Sequence, residues 1–224
     1  LYNSPAYYFD VRMASTRTLR NENGNGENLK GYFLSEGAHT IAVDGDEYYN
    51  IFPVWDWTKI PGITAPQKST IPLPAQWGTV GTSNFAGGVS NGSVGVTVFH
   101  LNNKEYSINT NAKKTWFMFG NEIVCLGSSI NSTASEPINT TINQSLLKGD
   151  VVVKSNDTES VLSTSSHNLA NSSWVYHNKV GYVFPQPTTL KISNKTESGN
   201  WKAINSSYSD DTVSADVFKM WIDH

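Results

Sequence analysis

RTLRNENGNGENLKGYFLSEGAHTIAVDGDEYYNIFPVWDWTKIPG occupies residues 17–62, and this stretch decides which kind of fold the chain can form. The polar cluster at 21–28 holds too many Asn and Gly residues for a helix or a regular strand, so it predicts a loop. Residues 38–43 alternate between apolar and polar side chains, as a half-buried strand does. Pro53 and Pro61 exclude a long helix from the aromatic stretch that follows. Strands joined by loops are therefore expected on both sides of this stretch.

The flanking sequence continues the same pattern. AYYFDVRMA at 6–14 and VGVTVFHL at 94–101 predict strands. KKTWFMFGNEIVCL at 113–126 carries two apolar runs broken at Gly120-Asn121, which predicts a β-hairpin. Short strands separated by turn signals about every 8–12 residues favour an antiparallel β-sandwich. The predicted fold class is therefore all-β, in one domain that covers residues 1–224.

Three further segments carry predictions that a structure can test. LKGYFLS at 29–35 is rich in residues that favour strands, and it predicts one. His177-Asn178-Lys179 separates two apolar runs and predicts a turn. The best helical pattern in the chain is short and lies around 211–218.

Composition excludes several classes of protein. Charged residues make up 16% of the 224-residue chain and the net charge is -3, so no basic surface for nucleic acid is expected. No run of eighteen apolar residues occurs, so no membrane-spanning segment is expected either. The first residues already resemble a strand and carry no signal peptide, which indicates a piece of a longer protein. The single cysteine, Cys125, lies in an apolar run and is predicted to be a buried small hydrophobic residue.

Neither a metal nor a cofactor is predicted. The five histidines form no metal-ligand spacing with one another, with the cysteine or with a carboxylate cluster. Gly87-Gly88 is not followed by Lys-Ser/Thr and a helix, so it does not form a phosphate-binding loop.

Polar and aromatic groups near 21–57 are typical of a carbohydrate site. Sugar hydroxyls need carboxylate or amide partners, and the apolar faces of sugar rings need flat aromatic surfaces. Each group also has a simpler interpretation. Glu22 and Asn25 could belong to a solvated turn, and Glu27 and Asn28 could only fix the loop. The aromatic residues could pack in the core or at a domain interface rather than against a sugar; they are Tyr48, Tyr49, Trp55 and Trp57.

Several sequence strings together resemble one enzyme family. They occur in family order and span nearly the whole chain: the 22–28 motif ENGNGEN, GDEYYNIFPVWDWTKIPG at 45–62, FAGGV at 85–89, KKTWFMF at 113–119, EIVCLGSSI at 122–130, TTINQ at 140–144, YHNKVGYVFP at 176–185 and WIDH at 221–224. The chain is similar to the central β-domain of polysaccharide lyase family 8. That family includes hyaluronate lyases, chondroitin AC lyases and xanthan lyases.

The resemblance implies a fold and an activity. The fold is a large antiparallel super-sandwich of the galactose-mutarotase-like type, placed between an α/α toroid and a smaller β-domain. The activity is β-elimination on an acidic, glycosaminoglycan-like polysaccharide, by a bacterial protein that is secreted or held at the cell surface. The family's catalytic Asn, His and Tyr, and an Arg that helps to hold them, lie on the toroid. Residues 1–224 alone are therefore expected to be inactive.

The resemblance also assigns site residues. Glu22 matches a family glutamate that pairs with the toroid arginine and holds the catalytic geometry, and Asn25 matches an asparagine that hydrogen-bonds the sugar. Asn23, in the same loop, is a further candidate for sugar contact. Two alternatives to a lyase domain remain, namely a non-catalytic carbohydrate-binding β-sandwich and a structural scaffold domain.

Overall fold

The computed structural model describes residues 1–73 and 77–224, and most of its regular structure is strand. The helices in this part of the chain are short 3₁₀ turns, at Gly24–Gly26, Gly31–Ser35, Phe52–Val54, Glu105–Ser107 and Trp201–Ala203. The strands, in chain order, are β1 (Tyr2–Asn3), β2 (Tyr8–Met13), β3 (Leu19–Asn21), β4 (Glu36–Ala42), β5 (Thr64–Pro66), β6 (Thr79–Val80), β7 (Ala86–Ser90), β8 (Val94–Asn103), β9 (Thr110–Phe119), β10 (Glu122–Ser132), β11 (Ile138–Leu146), β12 (Val152–Ser155), β13 (Thr158–Val161), β14 (Ser166–His177), β15 (Val180–Gly199) and β16 (Val213–Asp223).

The strands form antiparallel sheets, as the sequence predicts. A seven-stranded sheet has the order β13-β12-β14-β15-β16-β11-β5, and a four-stranded sheet has the order β10-β9-β8-β7. Two smaller sheets have the orders β1-β2-β4 and β3-β6. The described segments contain no helix long and apolar enough to cross a membrane.

The three-stranded and four-stranded sheets pack face to face. Alternate residues of β9 point inward, so Trp116 and Met118 join Leu101 of β8 in one apolar cluster with Phe9 of β2. These side chains are 4% exposed or less. The contact between the two sheets is the layered arrangement that the alternating pattern predicts.

Two further clusters belong to the seven-stranded sheet. One face of that sheet buries Val153, Val175, Ile192 and Met220, which come from four different strands. The other cluster packs the segment around residues 51–65 against Val217 of β16, and its largest members are Tyr32, Phe33, Trp55 and Trp57. The prolines of this segment exclude a long helix, and it folds as a turn-rich cover over the sheet.

His39 of β4 links three sheets. Its Nδ1 accepts a hydrogen bond from the indole N–H of Trp116 on β9, at 3.2 Å. Its Nε2 lies 3.1 Å from the carbonyl oxygen of Ile142 on β11 and donates to it. Because one ring nitrogen accepts and the other donates, the ring is held neutral, and burial lowers the pKa of His39 to about 4.

Several predictions that rest on local alternation or turn signals are confirmed. β2 lies within the strand predicted at 6–14, β4 covers all but the last residue of the strand predicted at 38–43, and β8 contains the strand predicted at 94–101. β9 and β10 form the hairpin around Gly120-Asn121. The turn at His177-Asn178-Lys179 joins β14 to β15, and both Asn178 and Lys179 have positive φ there.

The strand predicted at 29–35 is wrong, because residues Gly31–Ser35 form a 3₁₀ helix. Tyr32 and Phe33 are neighbours in sequence, yet both are buried, at 1% and 0% exposure. A strand with one buried face alternates its side chains and could not bury both residues on that face. Packing around these two rings therefore outweighs the strand propensity of the segment.

The helix predicted around 211–218 is also wrong. Residues Val213–Asp223 form β16, which pairs with β15 on one side and β11 on the other. Backbone hydrogen bonds to two neighbouring strands stabilise the extended form, and the weak helical pattern cannot compensate for their loss.

Cys125 is exposed, which contradicts the predicted buried position. It lies on β10, an edge strand of the four-stranded sheet, and its neighbours Val124 and Leu126 are 40% and 55% exposed. An apolar run is buried only where another layer covers the face of the strand, and residues 124–126 of β10 remain exposed.

Candidate functional site

The polar cluster at 21–28 begins with Asn21, the last residue of β3, and continues as the loop that follows; we call residues 21–28 the site loop. Glu22 and Asn25 both expose their side chains, and Asn23 is half-buried. The loop contains one turn of 3₁₀ helix in which Asn25 has a φ of 56°. Asn is one of the few residues with a side chain that tolerates this left-handed conformation, so the local sequence suits the turn.

Hydrogen bonds hold the backbone of the site loop at both ends. The Asn28 side-chain amide donates to the carbonyl oxygen of Glu22 at 2.8 Å. The Ser206 N–H donates to the carbonyl oxygen of Gly26 at 2.8 Å, and the Leu29 N–H donates to that of Ile204 at 2.8 Å. The loop backbone is thus anchored while the side chains of Glu22, Asn25 and Glu27 face outward. Asn28 has the structural role that the sequence left open, and Glu27 is exposed.

A buried charge anchors the strand that leads into the site loop. Arg20 is 1% exposed, and its Nη1 donates to the Tyr32 hydroxyl at 2.7 Å and to Glu105 Oε2 at 2.8 Å. Its guanidinium lies 4.8 Å from the centre of the Tyr32 ring. Glu36 belongs to the same buried group, where Asn103 donates to its carboxyl oxygen, and burial raises the pKa of Glu36 to about 7.

Trp77 lies against the site loop, although nothing in the sequence singled it out. The side chain is 58% exposed. A Cβ added to Gly24 would lie only 1.8 Å from Cζ2 of this indole, so Gly24 is required for the close approach of the ring. The glycines of the loop therefore have different roles, since Gly24 makes room for Trp77 and Gly26 supplies a positive φ of 74°.

The aromatic residues at 48–57 divide between core and surface. Trp55 and Trp57 are 7% and 5% exposed and pack edge to face at 5.5 Å, so they belong to the core. The Tyr48 hydroxyl accepts a hydrogen bond from the Ile41 N–H, and its burial raises the pKa of Tyr48. Tyr49 is 79% exposed. The packing interpretation holds for the two tryptophans, while Tyr49 remains on the surface.

A shallow groove of about 420 Å³ begins beside the site loop. Lys30 lines it, and Lys68, which also lines it, pairs with Glu136 at 2.8 Å. Further lining residues are Leu29, Trp55, Trp57 and Ala203. A groove with polar walls and lysine side chains suits an extended polar ligand better than a compact apolar one.

One group of carboxylates could be mistaken for a metal site. Side-chain oxygens of Asp44, Asp46 and Glu47 lie within 4.8 Å of one another. Asp44 pairs with Lys179 at 2.6 Å, and Asp46 pairs with Lys148. Glu47 accepts three backbone N–H bonds of 2.7–2.9 Å from residues 43–45. Each carboxylate is thus already balanced by the protein, and no metal is assigned to the group.

The site loop can bind and orient but carries no acid–base pair of its own. It offers carboxylate and amide groups, and Trp77 adds a flat ring beside them. Residues 21–28 include no His, Tyr, Lys or Cys that could remove or supply a proton near neutral pH. Proton transfer at this surface would need groups from elsewhere.

Comparison with known proteins identifies the domain type. The family model described as "Polysaccharide lyase family 8, super-sandwich domain" matches residues 1–224. Chondroitinase-AC from Pedobacter heparinus is 49% identical over 221 residues, which cover 98% of this chain and 31% of that protein. Xanthan lyase from Bacillus sp. (strain GL1) is 33% identical over 237 residues, covering 98% of this chain and 24% of that protein. The chain therefore spans less than a third of the length of these relatives.

Solved structures agree with the sequence comparison. A chondroitinase AC lyase studied in enzyme–oligosaccharide complexes superposes with a TM-score of 0.92 at 47% identity, over 99% of this chain and 32% of that one. The xanthan lyase of Paenibacillus superposes with a TM-score of 0.87 at 27% identity, over 98% of this chain and 22% of that one. The antiparallel sheets described above are therefore a lyase super-sandwich, as the sequence predicts.

Proposed function

This chain belongs to polysaccharide lyase family 8, and from that premise we propose that it is the central domain of a bacterial lyase that cleaves a uronic-acid-containing polysaccharide by β-elimination. The observation that carries the proposal is the site loop, in which Glu22 and Asn25 expose their side chains from an anchored backbone. The family match includes this loop, since it covers residues 1–224.

The proposed reaction needs three catalytic groups, namely a base, an acid and a group that stabilises negative charge. A base removes the proton from C5 of the uronate, which lies next to the carboxylate. The electron pair left on C5 forms the C4–C5 double bond as the bond from C4 to the glycosidic oxygen breaks, and that oxygen takes a proton from an acid. A third group stabilises the charge that builds on the uronate carboxylate. The site loop carries none of the bases or acids required, so an α/α toroid in the same protein would supply them.

In this scheme Glu22 is a positioning residue. Its exposed carboxylate would pair with an arginine of the toroid, and a bidentate carboxylate–guanidinium pair fixes both distance and orientation. Arg20 and Glu105 hold the start of the site loop from below, so the carboxylate would be presented from a rigid base.

Substrate contact is assigned to the other exposed groups of the surface. The Asn25 amide would hydrogen-bond sugar hydroxyls, and Asn23 is a further candidate for such a contact. Trp77 offers a flat face for the apolar side of a sugar ring. Lys30, in the adjoining groove, supplies positive charge for an acidic polymer.

The proposal extends to the whole protein. Substrates of the chondroitin or hyaluronan type lie outside the cell, so the lyase would be secreted or held at the cell surface. Residues 1–224 alone would be inactive, because the base and acid belong to the toroid.

Product analysis of the full-length protein tests this proposal. The protein is incubated with hyaluronan, chondroitin sulfate and xanthan, and the new C4–C5 double bond is followed by its ultraviolet absorbance. We expect unsaturated products from at least one polymer and none from residues 1–224 alone. Products with saturated ends, or no cleavage of any of the three polymers, would contradict a lyase assignment.

The alternatives predict different outcomes in the same preparation. A carbohydrate-binding module would bind oligosaccharides in a calorimetric titration of residues 1–224, while the full-length protein would yield no product. A scaffold domain would neither bind sugar nor affect products when Glu22 and Asn25 are replaced.

A further inference from the structure

A second loop, residues 200–211, lies directly against the site loop. Two backbone hydrogen bonds join the loops, one from Ser206 to Gly26 and one from Leu29 to Ile204. The loops also pack closely at Gly26, where no space is left for a side chain. A Cβ added to Gly26 would lie 2.0 Å from the Ser206 hydroxyl oxygen. The two loops therefore form one continuous surface.

This second loop carries two aromatic rings, Trp201 and Tyr208, which we call the aromatic ledge. Their ring centres lie 5.6 Å apart and their planes are inclined by 33°. Tyr208 is 57% exposed. One side of the Tyr208 ring thus rests against Trp201, while much of the ring remains open to solvent.

The aromatic ledge is held in place before any ligand arrives. The Trp201 indole N–H donates to Asn50 Oδ1 at 2.9 Å, and Phe52 packs edge-on against the same ring at 6.1 Å. The Asn200 side chain caps the Trp201–Ala203 turn by accepting from the Ala203 N–H, and the Tyr208 N–H donates to the carbonyl oxygen of Asn205. A ring fixed in this way loses little conformational entropy on binding.

The ledge lies within reach of a polymer that occupies the site loop. Ser206 contacts Gly26, which is the neighbour of Asn25, and Tyr208 is two residues beyond Ser206. Two residues span at most about 7 Å between Cα atoms. A polysaccharide chain bound at Asn25 could therefore reach Tyr208 after a short run of sugar units.

The charges around Tyr208 limit which sugar would bind there. Asp210 and Asp211 are both exposed, and the one cation paired with them among the described residues is Lys202, 3.7 Å from Asp210. Asp211 accepts a hydrogen bond from the Ser209 hydroxyl and has no cation paired with it in the described part of the chain. An excess of negative charge disfavours a uronate or a sulfated ring and favours an uncharged one.

We propose that the aromatic ledge is a further binding subsite, which takes an uncharged pyranose ring of the polysaccharide through Tyr208, beyond the unit that reacts at the site loop. The subsite rests on the function proposed above. It contributes to the binding of long substrates and not to the chemical step.

The test compares substrates of different length in the full-length protein. Tyr208→Ala removes the ring, Tyr208→Phe keeps it, and Tyr176→Ala is a matched control because Tyr176 is 45% exposed on β14. KM and kcat are measured on the polymer and on the shortest oligosaccharide that is cleaved. We expect Tyr208→Ala to raise KM on the polymer about three- to tenfold, as the loss of one ring-stacking contact would, and to leave KM on the shortest substrate unchanged.

The other variants and outcomes separate the possibilities. Tyr208→Phe and Tyr176→Ala should both behave like the wild-type protein. If Tyr208→Ala raises KM equally on both substrates, the subsite is overturned, and the result would place a neighbouring domain against Tyr208. If Tyr208→Ala changes KM on neither substrate, the subsite is also overturned. If the wild-type protein releases no unsaturated product, the proposed function itself fails, and the subsite that rests on it fails too.

Discussion

Glu22 gives the sharpest test at the scale of single residues. Glu22→Gln keeps the size of the side chain and removes its charge, so the arginine pairing proposed for it would weaken and the catalytic groups would lose their alignment. We expect kcat of the full-length protein to fall about a hundredfold. The free energy of unfolding of residues 1–224 alone should change by less than about 0.5 kcal/mol, because the Glu22 side chain is exposed there.

Glu27→Gln is the matched control for this prediction. Glu27 lies in the same site loop and is also exposed. A wild-type kcat for both variants would remove the positioning role from Glu22, and an equal fall for both would indicate a general effect of loop charge.

Asn25 allows binding to be separated from backbone strain. Asn25→Gly removes the amide and accepts the φ of 56°, whereas Asn25→Ala adds a strain of about 1 kcal/mol in the left-handed region. We expect both variants to raise KM about three- to tenfold, which is the loss of one hydrogen bond to the sugar. Melting curves should show that the Ala variant alone is destabilised. A raised KM in the Ala variant only would mean that Asn25 shapes the loop without contacting substrate.

The sequence predicts Glu22 and Asn25 as exposed loop residues because their signal is local. Consecutive Asn and Gly residues favour a turn, and turns place polar side chains in solvent. Trp77 could not be found in this way, since its contact with Gly24 joins segments far apart in the chain. A glycine that makes room for a distant ring looks, in sequence, like any other glycine of a turn.

At the scale of elements, the Arg20–Glu105 pair connects β3 to the 3₁₀ helix Glu105–Ser107. Glu105→Ala would remove the carboxylate partner of the Arg20 guanidinium, which is 1% exposed. The Tyr32 hydroxyl would remain as a hydrogen-bond partner, but it cannot neutralise the charge. We expect a loss of about 1.5–3 kcal/mol in the free energy of unfolding, which is usual for a hydrogen bond to a charged group. Glu105 is 41% exposed, so the lower part of this range applies.

Urea unfolding of the 224-residue chain measures this loss. Glu159→Ala is the control, because Glu159 is exposed on β13, which belongs to a different sheet from the β3 strand of Arg20. Equal midpoints for the two variants would show that water replaces the carboxylate at Arg20 without cost.

The elements that the sequence predicts correctly are those that a local alternation of side chains or a turn defines. Gly120-Asn121 marks the hairpin of β9 and β10 through two neighbouring residues. The errors at 29–35 and 211–218 arise where distant packing decides the conformation. Tyr32 and Phe33 are both buried by one cluster, and β16 is extended because two strands pair with it. No pattern within either segment carries that information.

Three buried titratable groups make the stability of the whole molecule depend on pH. Burial lowers the pKa of His39 and of His177 to about 4, because it disfavours the charged form of each ring. Their contribution to stability is present above pH 6.5, the ordinary histidine pKa, and is lost as pH falls toward 4. Burial raises the pKa of Glu36 to about 7, so its contribution has the opposite sign: it is present below the ordinary value of 4.5 and is lost as pH rises toward 7.

Between these limits the two histidines outweigh the single carboxyl group. From these three groups alone, the unfolded chain then binds about one proton more than the folded chain, and they add about 1.4 kcal/mol per pH unit to the rise of the free energy of unfolding. Glu36→Gln removes the opposing group, so the slope should become steeper. Urea unfolding midpoints at about pH 5 and 6 give both slopes. Identical slopes would show that Glu36 is ionised in the folded protein.

The fold class can be predicted from the sequence in two ways. The many short strands indicate an all-β domain, and the strings that resemble the lyase family indicate a super-sandwich. The order of strands within the sheets does not follow, because it depends on pairs such as Thr64 of β5 with Thr140 of β11, which no local pattern connects. The link from His39 to Trp116 and Ile142 is hidden for the same reason.

The place of β16 in the seven-stranded sheet has a consequence for biosynthesis. This strand follows all the others described in the chain, yet it lies between β15 and β11. β11 and β5 therefore cannot join β12–β15 until residue 223 has left the ribosome. The nascent chain therefore carries the open edges of β11 and β15 until β16 emerges, and a chaperone that shields exposed β-edges should raise the yield of folded protein.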